Sequence, residues 1–293
     1  MSAKEFQEHC RMADGFDLFY RRWKAIGAVG RSVICIHGAG SHSEFFRVMG
    51  QELAADGAEV YALDLRGFGN SKEEGLARGD TSDFKRHLED VNEVVDFVRK
   101  SHPGKKVYMF GQSIGGCYTL WYAANHPDSL DGIILAAPAI ELGSAISGRD
   151  YIRFLFSLLF APKTMYEPYK TLPPDQRESE EVKITLQDPL STTRLSIRWL
   201  SGAGRILQYK ALQNASRIEK PTLIIQGEGD KTVLPNGAKR LFERLAAKDK
   251  SIQTFPDADH YFYHALFLKV TEKHDPAKRK FVISVVRNWL KTH

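Results

Sequence analysis

Cysteine is scarce in this sequence. The 293 residues contain three cysteines, Cys10, Cys35 and Cys117, without a C-x-x-C pair or the histidine spacing of a zinc site. A disulfide framework is therefore not expected. The first ten residues carry charged side chains where a secretory signal would need an apolar core. Both observations predict a protein of the reducing cytoplasm.

Long apolar runs and a strong excess of one charge are also missing. The longest strongly apolar stretch, residues 151–162, contains Arg153 and is shorter than the ~20 residues that span a bilayer. It is a candidate for transient contact with a membrane surface, not a transmembrane helix. The 41 Lys and Arg against 36 Asp and Glu give a formal charge of +5 without a long basic run, so no nucleic-acid partner is predicted.

The sequence does contain enough apolar material for a large core, since 43% of its residues are hydrophobic and 11% are aromatic. Short apolar runs alternate with longer amphipathic segments, which is typical of a mostly parallel sheet flanked by helices. We predict strands at residues 32–36, 59–63, 106–110, 132–136, 222–226 and 251–255. We predict helices at residues 44–56, 114–125, 236–247 and 276–291, and an N-terminal β-hairpin at 6–23. A further helix is predicted from the apolar repeat between Phe84 and Val98, which follows the possible caps Thr81 and Ser82 and ends at residues 102–104.

The alternation of strands and helices stops between Pro138 and Lys220. The intervening residues form an apolar stretch, a polar stretch with prolines and an amphipathic piece, without a strand pattern. We therefore predict that residues 141–220 are an inserted, largely helical cap (a lid), and that residues 1–140 and 221–293 form the α/β core. No feature of the sequence indicates an oligomeric state.

Gly111 to Gly115 has the form G-x-S-x-G, with Ser113 at its centre. The pentapeptide is weak evidence alone, but it follows a strand pattern and opens a helix pattern, which is the setting of a nucleophile elbow. In such a turn the glycines leave room for a strained backbone, and the serine oxygen lies at a helix N-terminus. Ser113 is thus the candidate nucleophile; the alternative is an ordinary helix N-cap among packing glycines.

A second glycine-containing loop, His37-Gly38-Ala39-Gly40, follows the strand predicted at residues 32–36. Its backbone can present an N–H group to an oxyanion, and acyl transfer needs at least two such preorganised donors. We predict the amides of Ala39 and Ile114 as these donors. The alternative is a tight strand exit in which the glycines serve only the turn.

The candidate acid and base follow the last two predicted strands. Asp230 ends a turn after the strand at 222–226, and His260 follows the strand at 251–255, so the chain order is Ser, acid, His. His260 would take the Ser113 proton and Asp230 would orient the imidazole. The sequence also offers competitors for both roles: His264 for the base, and Glu228, Asp257 and Asp259 for the acid.

Taken together, these motifs resemble the α/β-hydrolase superfamily, and within it the monoacylglycerol lipase and lysophospholipase-like serine hydrolases. The resemblance rests on the HGAG loop followed by Ser41-His42-Ser43, on LDLRGFGNS at residues 63–71, on the GQSIGG elbow, on residues 227–230 and on Asp259-His260. It implies an eight-stranded, mainly parallel sheet with a helical cap after the sixth strand. It also implies an acyl-ester or lipid substrate that enters between cap and core.

Two further points follow from the resemblance. Asp64 and Arg66 are expected to order the loop at residues 64–71 without a catalytic role. Gln112, however, departs from the family pattern, because many of these lipases have His before the nucleophile.

The predicted cap supplies the evidence on substrate. Residues 154–160 leave few polar positions, so this helix either packs on the core or faces an apolar cavity for an acyl chain. Phe154 and Trp199 are candidate substrate-binding residues, with plain packing as the alternative. No metal-binding cluster of acids and no dinucleotide fingerprint is present, so neither metal nor cofactor is predicted.

The sequence thus predicts a serine esterase or lipase for short to medium acyl esters, of the monoacylglycerol or lysophospholipid type. A peptidase, thioesterase or perhydrolase with the same triad is the first alternative, and Glu178, Glu180 and Glu181 are candidates to bind the amino terminus of a peptide. A catalytically silent ligand-binding protein is the second. Haloalkane dehalogenase and epoxide hydrolase chemistry is disfavoured, because it needs Asp at the position of Ser113.

Overall fold

An eight-stranded sheet forms the centre of the protein. The structure is a computed structural model that describes residues 3–81, 83–143, 148–171, 174–178, 180–256, 258–260 and 276–293. Its strands are β1 (Glu5–Arg11), β2 (Asp17–Trp23), β3 (Arg31–Ile36), β4 (Ala58–Leu63), β5 (Lys106–Gln112), β6 (Gly132–Ala136), β7 (Met165–Tyr166), β8 (Leu195–Ser196), β9 (Thr222–Gly227) and β10 (Lys250–Phe255). The large sheet has the order β1-β2-β4-β3-β5-β6-β9-β10. This order confirms the predicted fold class.

The pairing of the strands explains their sequences. β1 and β2 form the predicted antiparallel hairpin, β2 pairs antiparallel with β4, and the six strands from β4 to β10 in the sheet are mutually parallel. Every residue of β4, β6 and β9 is buried. Central parallel strands are covered on both faces, so they appear in the sequence as continuous apolar runs.

Helices cover both faces of the sheet. They are α1 (Arg47–Ala55), α2 (Phe84–Ser101), α3 (Ile114–Asn125), α9 (Pro235–Arg244) and α10 (Pro276–Thr292). One apolar cluster contains Val95 of α2 and Leu120 of α3, and the other contains Leu53 of α1 and Val286 of α10. The sheet therefore lies between two helical layers, as the alternating sequence pattern predicts.

The described residues between β6 and β9 are mostly helical. They include α4 (Gly148–Phe160), α5 (Pro174–Arg177), α6 (Glu180–Gln187), α7 (Ile197–Gly202), a π-helical turn (Ala203–Gln208) and α8 (Tyr209–Asn214). The short strands β7 and β8 pair antiparallel beside them, although the sequence predicts no strand in this interval. Two-residue strands are too short to show a period of two, which is why the pattern misses them. Among the described residues, no helix is both long and apolar enough to cross a membrane.

Candidate active site

Ser113 occupies a sharp turn between the central strand β5 and helix α3. Its φ of 53° and ψ of −120° lie in a region that residues other than glycine rarely adopt. The Ser113 N–H donates to the carbonyl of Ala136 at the end of β6 (2.8 Å), and the Ser113 carbonyl accepts from Ala139 N (3.1 Å). The last residue of β6 and Ala139 just after it therefore hold the strained turn from both sides.

Two glycines of the G-x-S-x-G motif allow α3 to approach the sheet closely. A Cβ on Gly115 would lie 2.3 Å from the carbonyl oxygen of Ile36 in β3, and a Cβ on Gly111 would lie 2.4 Å from the Thr119 hydroxyl oxygen. No side chain fits at such distances. The first turn of α3 therefore sits directly against the carboxyl end of β3, where residues 37–43 begin, and this segment is called the HGAG loop below.

The HGAG loop lies beside Ser113. Gly38 N donates to Oε1 of Gln112 (3.2 Å), and a Cβ on Gly38 would lie 3.2 Å from the Ser113 Cβ. Gln112, the departure from the usual lipase motif, thus holds the loop against the elbow. Within the described part of the chain, the amides of Ala39 and Ile114 donate no hydrogen bond, so both N–H groups are available to an oxyanion.

His37 fixes the start of this loop. Leu65 N donates to its Nε2 (3.0 Å), so the proton is on Nδ1, which donates to the Gly38 carbonyl (2.8 Å). Burial lowers the pKa of His37 to about 4, so the imidazole is neutral at physiological pH. A neutral imidazole with a fixed tautomer can hold the HGAG loop against the loop at residues 64–71.

Asp64 and Arg66 order the loop at residues 64–71, as the family resemblance implies. The buried carboxylate of Asp64 accepts from Ser43 N (2.6 Å) and from Asn70 N (2.7 Å). The guanidinium of Arg66 donates to both oxygens of the Asp90 carboxylate, each at 2.8 Å. Asp64 therefore connects the HGAG loop to the loop at residues 64–71, and Arg66 connects the latter loop to helix α2. These contacts match a role in support of the site.

Asp230 and His260 are brought into contact at the same edge of the sheet. β5, β6, β9 and β10 are adjacent parallel strands, so the residues that follow them meet at one edge. One carboxylate oxygen of Asp230 accepts from the backbone amides of Thr232 (2.9 Å) and Val233 (2.7 Å). The other lies 2.8 Å from Nδ1 of His260. Asp230 is thereby positioned by its own turn and orients the ring.

The described residues among the competitors lie differently. Glu228 and Asp259 are exposed, whereas the Asp230 side chain is fully buried. Asp257 and His264 lie outside the described residues. Burial matters here, because a carboxylate orients and stabilises an imidazolium most strongly where water does not screen it.

The two substrate-binding candidates have different surroundings. Phe154 is half-buried in α4, while Trp199 in α7 is buried and packs edge-on against Phe68 (5.7 Å between ring centroids). The Trp199 indole N–H has no hydrogen-bond partner in the described part of the chain. Because Phe68 lies in the loop at residues 64–71, Trp199 packs against the loop that Asp64 and Arg66 order.

Sequence reasoning missed a second histidine–carboxylate pair beside the site. His42, at the end of the HGAG loop, is buried, and its Nε2 lies 2.6 Å from an oxygen of Asp188. The two residues are 146 positions apart, so no local motif links them. Among the described residues, no cluster of three or more His, Cys, Asp or Glu side chains could hold a metal ion.

A mainly parallel eight-stranded sheet, a serine on a strained turn after its central strand and an Asp–His pair after its last two strands define an α/β-hydrolase. The family model described as serine aminopeptidase, S33 (Hydrolase_4) matches residues 27–267. The chain therefore belongs to this family of α/β-hydrolases.

Individual relatives cover most of the chain. It is similar to the monoglyceride lipase of Homo sapiens, with 28% identity over 88% of this chain and 84% of that protein. It is also similar to the monoacylglycerol lipase of Mycolicibacterium smegmatis, with 26% identity over 89% of this chain and 88% of that protein.

Solved structures give the same picture. The monoacylglycerol lipase of Paleococcus ferrophilus superposes with a TM-score of 0.73 at 26% identity and covers 94% of this chain and 99% of its own. A soluble variant of monoglyceride lipase from Saccharomyces cerevisiae, solved with a substrate analogue, has a TM-score of 0.79 over 100% of this chain and 96% of its own. At 21% identity, its likeness shows the fold alone.

Proposed function

We propose that the protein is a serine hydrolase of carboxylic esters, of the monoacylglycerol lipase type, that acts through an acyl-enzyme. The observation that carries the proposal is the contact between the buried Asp230 and His260 Nδ1 at the sheet edge where the Ser113 turn lies. The names of the relatives support an acyl ester of glycerol as the substrate.

In the proposed mechanism the Ser113 hydroxyl attacks the ester carbonyl while Nε2 of His260 takes its proton. His260 then gives this proton to the leaving alcohol, and a water molecule releases the acyl group by the same route in reverse. Asp230 accepts the hydrogen bond from His260 Nδ1–H throughout and stabilises the imidazolium. Its other oxygen already accepts hydrogen bonds from the backbone amides of Thr232 and Val233, so the carboxylate does not need to move.

The negative charge that develops on the carbonyl oxygen is received by the amides of Ala39 and Ile114. Both N–H groups lack acceptors in the described part of the chain, and Ile114 opens helix α3, whose N-terminal dipole favours a negative charge. Donors of this kind are fixed before the reaction begins, and loss of one typically costs a factor of about 10² to 10³ in rate.

Residues 141–220 act in this proposal as the helical cap over the core formed by residues 1–140 and 221–293. Phe154 and Trp199 are the candidates to line the acyl-chain site beneath it. On the outer side, α4 exposes Ile152, Phe156, Leu159 and Phe160, which supports transient contact with a membrane surface during substrate uptake. The three cysteines are free thiols, which supports the predicted cytoplasmic setting.

A second candidate function is an aminopeptidase, because that is how the family model is described. Such an enzyme needs acidic groups to bind a free amino terminus. Glu178 is exposed, and the side chains of Glu180 and Glu181 lie outside the described residues. The curated relatives named above are lipases, so the ester is the preferred substrate.

Turnover of a matched substrate set tests the proposal. We expect hydrolysis of p-nitrophenyl esters and of monoacylglycerols, and none of amino-acid p-nitroanilides. Ser113→Ala should lower the ester rate at least ~10³-fold and abolish labelling by a fluorophosphonate. Ser101→Ala, at an exposed helix end, is the matched control and should retain full rate. Ester turnover that survives in Ser113→Ala, or a preference for the anilides, would contradict the proposal.

A further inference from the structure

Both ring nitrogens of His42 are engaged. Nδ1 accepts from Glu44 N (3.4 Å), so the proton is on Nε2, which donates to Asp188 (2.6 Å). No nitrogen of this ring is left to take a proton from Ser113. The His42–Asp188 pair therefore has a different task from the Asp230–His260 pair, although both consist of a histidine and a carboxylate.

Asp188 also shapes the chain that follows it. One of its oxygens accepts from Leu190 N (2.8 Å), and the other accepts from the Ser191 hydroxyl (3.2 Å). These bonds fix a turn that leads to Thr192, whose N–H donates to the carbonyl of Gly40 in the HGAG loop (2.7 Å). The insertion thus binds this loop at two points, Gly40 and His42, on either side of Ser41.

The backbones approach so closely that glycine is required. Gly40 has a φ of 74°, and a Cβ there would lie 2.5 Å from the Thr192 carbonyl oxygen. Gly79 repeats the arrangement, with a φ of 76° and a Cβ that would lie 2.6 Å from the Arg194 carbonyl oxygen. Substitution at either site would push the insertion away from the core.

Two more hydrogen bonds anchor the insertion to the core a few residues after Thr192. Ser196 N donates to the Gly79 carbonyl (2.9 Å), and Nε of Arg198 donates to Asp80 (2.6 Å). Residues 188–198, called the brace below, are therefore fixed to two core loops at once. Because Gly40 adjoins Ala39, the brace also limits where the Ala39 amide can point.

We propose that His42 and Asp188 are positioning residues, which tie the brace to the HGAG loop and thereby hold the Ala39 N–H in place for the oxyanion. This inference rests on the proposed ester hydrolysis and extends it, since it makes part of the insertion a component of the catalytic geometry. The brace should stabilise the transition state, in which the oxyanion forms, more than it stabilises the bound ester.

Two substitutions of His42 separate this role from simple packing. His42 packs edge-on against Phe45 with 5.0 Å between ring centroids, so His42→Phe keeps a ring there and removes the donor to Asp188. His42→Gln keeps an N–H donor. We expect His42→Phe to lower kcat about 10- to 100-fold with KM within about threefold, and His42→Gln to stay within about threefold of the parent in both.

Hydrogen exchange gives a readout that does not depend on turnover. Amides of residues 37–43 should exchange about tenfold faster or more in His42→Phe than in the parent, and at the parental rate in His42→Gln. Lys210→Ala, at an exposed position of α8 outside the brace, is the control and should change neither readout. If His42→Phe does not fold, Asp188→Asn, which keeps one acceptor for Leu190 N, is measured in its place.

Unchanged kcat and unchanged exchange at residues 37–43 in the folded variant would overturn the proposal. So would faster exchange spread evenly over the whole chain, since that is general destabilisation. If instead Ser113→Ala retains ester turnover, the proposed function fails, while the exchange data still decide whether the brace holds the loop.

Discussion

At the scale of single residues, two strained backbone positions at the candidate active site are held by their neighbours. Ser113 and Ala137 both have positive φ, 53° and 42°, although neither is glycine. Such conformations cost about 1–3 kcal/mol each. Ser113 N donates to Ala136 and Ala137 N donates to Ile225, both at 2.8 Å, so the ends of β6 and β9 compensate for the strain.

Gly115 offers a test of how closely the elbow must approach the sheet. A Cβ there meets the backbone oxygen of Ile36 at 2.3 Å, so Gly115→Ala must shift α3 and with it Ser113. We expect a loss of about 1–3 kcal/mol in unfolding free energy, and a fall in kcat of about tenfold or more for esters. Thermal unfolding and steady-state kinetics measure the two effects.

Gly204→Ala is the matched control for this substitution. The nearest atom to a Cβ on Gly204 is 3.5 Å away, an ordinary contact, and alanine favours helix. This variant should be as stable and as active as the parent. Equal behaviour of Gly115→Ala and Gly204→Ala would show that the close approach of α3 has no consequence.

Which residues of the site could be predicted depended on whether a local pattern marked them. Ser113, Asp230 and His260 each follow a recognisable strand, and parallel strands deliver such residues to one edge. His42 and Asp188 are 146 positions apart and their pairing depends on how the insertion returns to the core. No periodicity or spacing encodes that return, so the brace was found only in the structure.

At the scale of elements, the segment between β6 and β9 consists of parts with opposite exposure. α7 and α8 contribute Trp199 and Ala211 to the apolar core, whereas α4 exposes Ile152 (68%) and Leu159 (75%). The sequence predicted that this helix packs on the core or faces an apolar cavity, because residues 154–160 are apolar almost throughout. The structure corrects this, since Phe156 (63%) and Phe160 (71%) are exposed as well. In contrast, the buried strands were predictable because both of their faces are covered.

The exposed face of α4 predicts an effect confined to lipid surfaces. Ile152 and Leu159 are two helical turns apart on one face, so the double variant Ile152→Ser/Leu159→Ser should bind phosphatidylcholine vesicles about 10- to 100-fold more weakly. Its thermal midpoint and its rate on a short soluble ester should match the parent, since both side chains are already in water. Vesicle sedimentation measures the binding.

A second exposed apolar residue supplies the control for this experiment. Tyr209 in α8 is 63% exposed, so Tyr209→Ser removes a similar apolar surface from a different helix. Vesicle binding should persist in this variant. Equal loss of binding in Tyr209→Ser would mean that general apolar exposure, and not α4, mediates the contact.

At the scale of the whole molecule, buried neutral histidines make stability depend on pH. His87 in α2 pairs with the Tyr118 hydroxyl through Nδ1 (2.7 Å) and with the Thr81 hydroxyl through Nε2 (3.2 Å). Burial, with a smaller effect from the nearby Arg66, lowers the pKa of His87 to about 3. The fold thus keeps this ring uncharged between two core elements.

The sign of the pH effect follows from this lowered pKa. The unfolded chain protonates His87 below a pKa of about 6.5, while the folded protein does not until about pH 3, so protons favour unfolding between these values. The stabilisation is complete above pH 6.5 and falls by about 2 kcal/mol on going to pH 5.

His87→Gln lacks the titrating group, so its stability deficit relative to the parent, measured by urea unfolding, should shrink by this amount between pH 7.5 and pH 5. Carboxylates titrate mainly below this window and are common to both proteins. A deficit that stays constant across the window would show that the folded protein accepts the proton on His87.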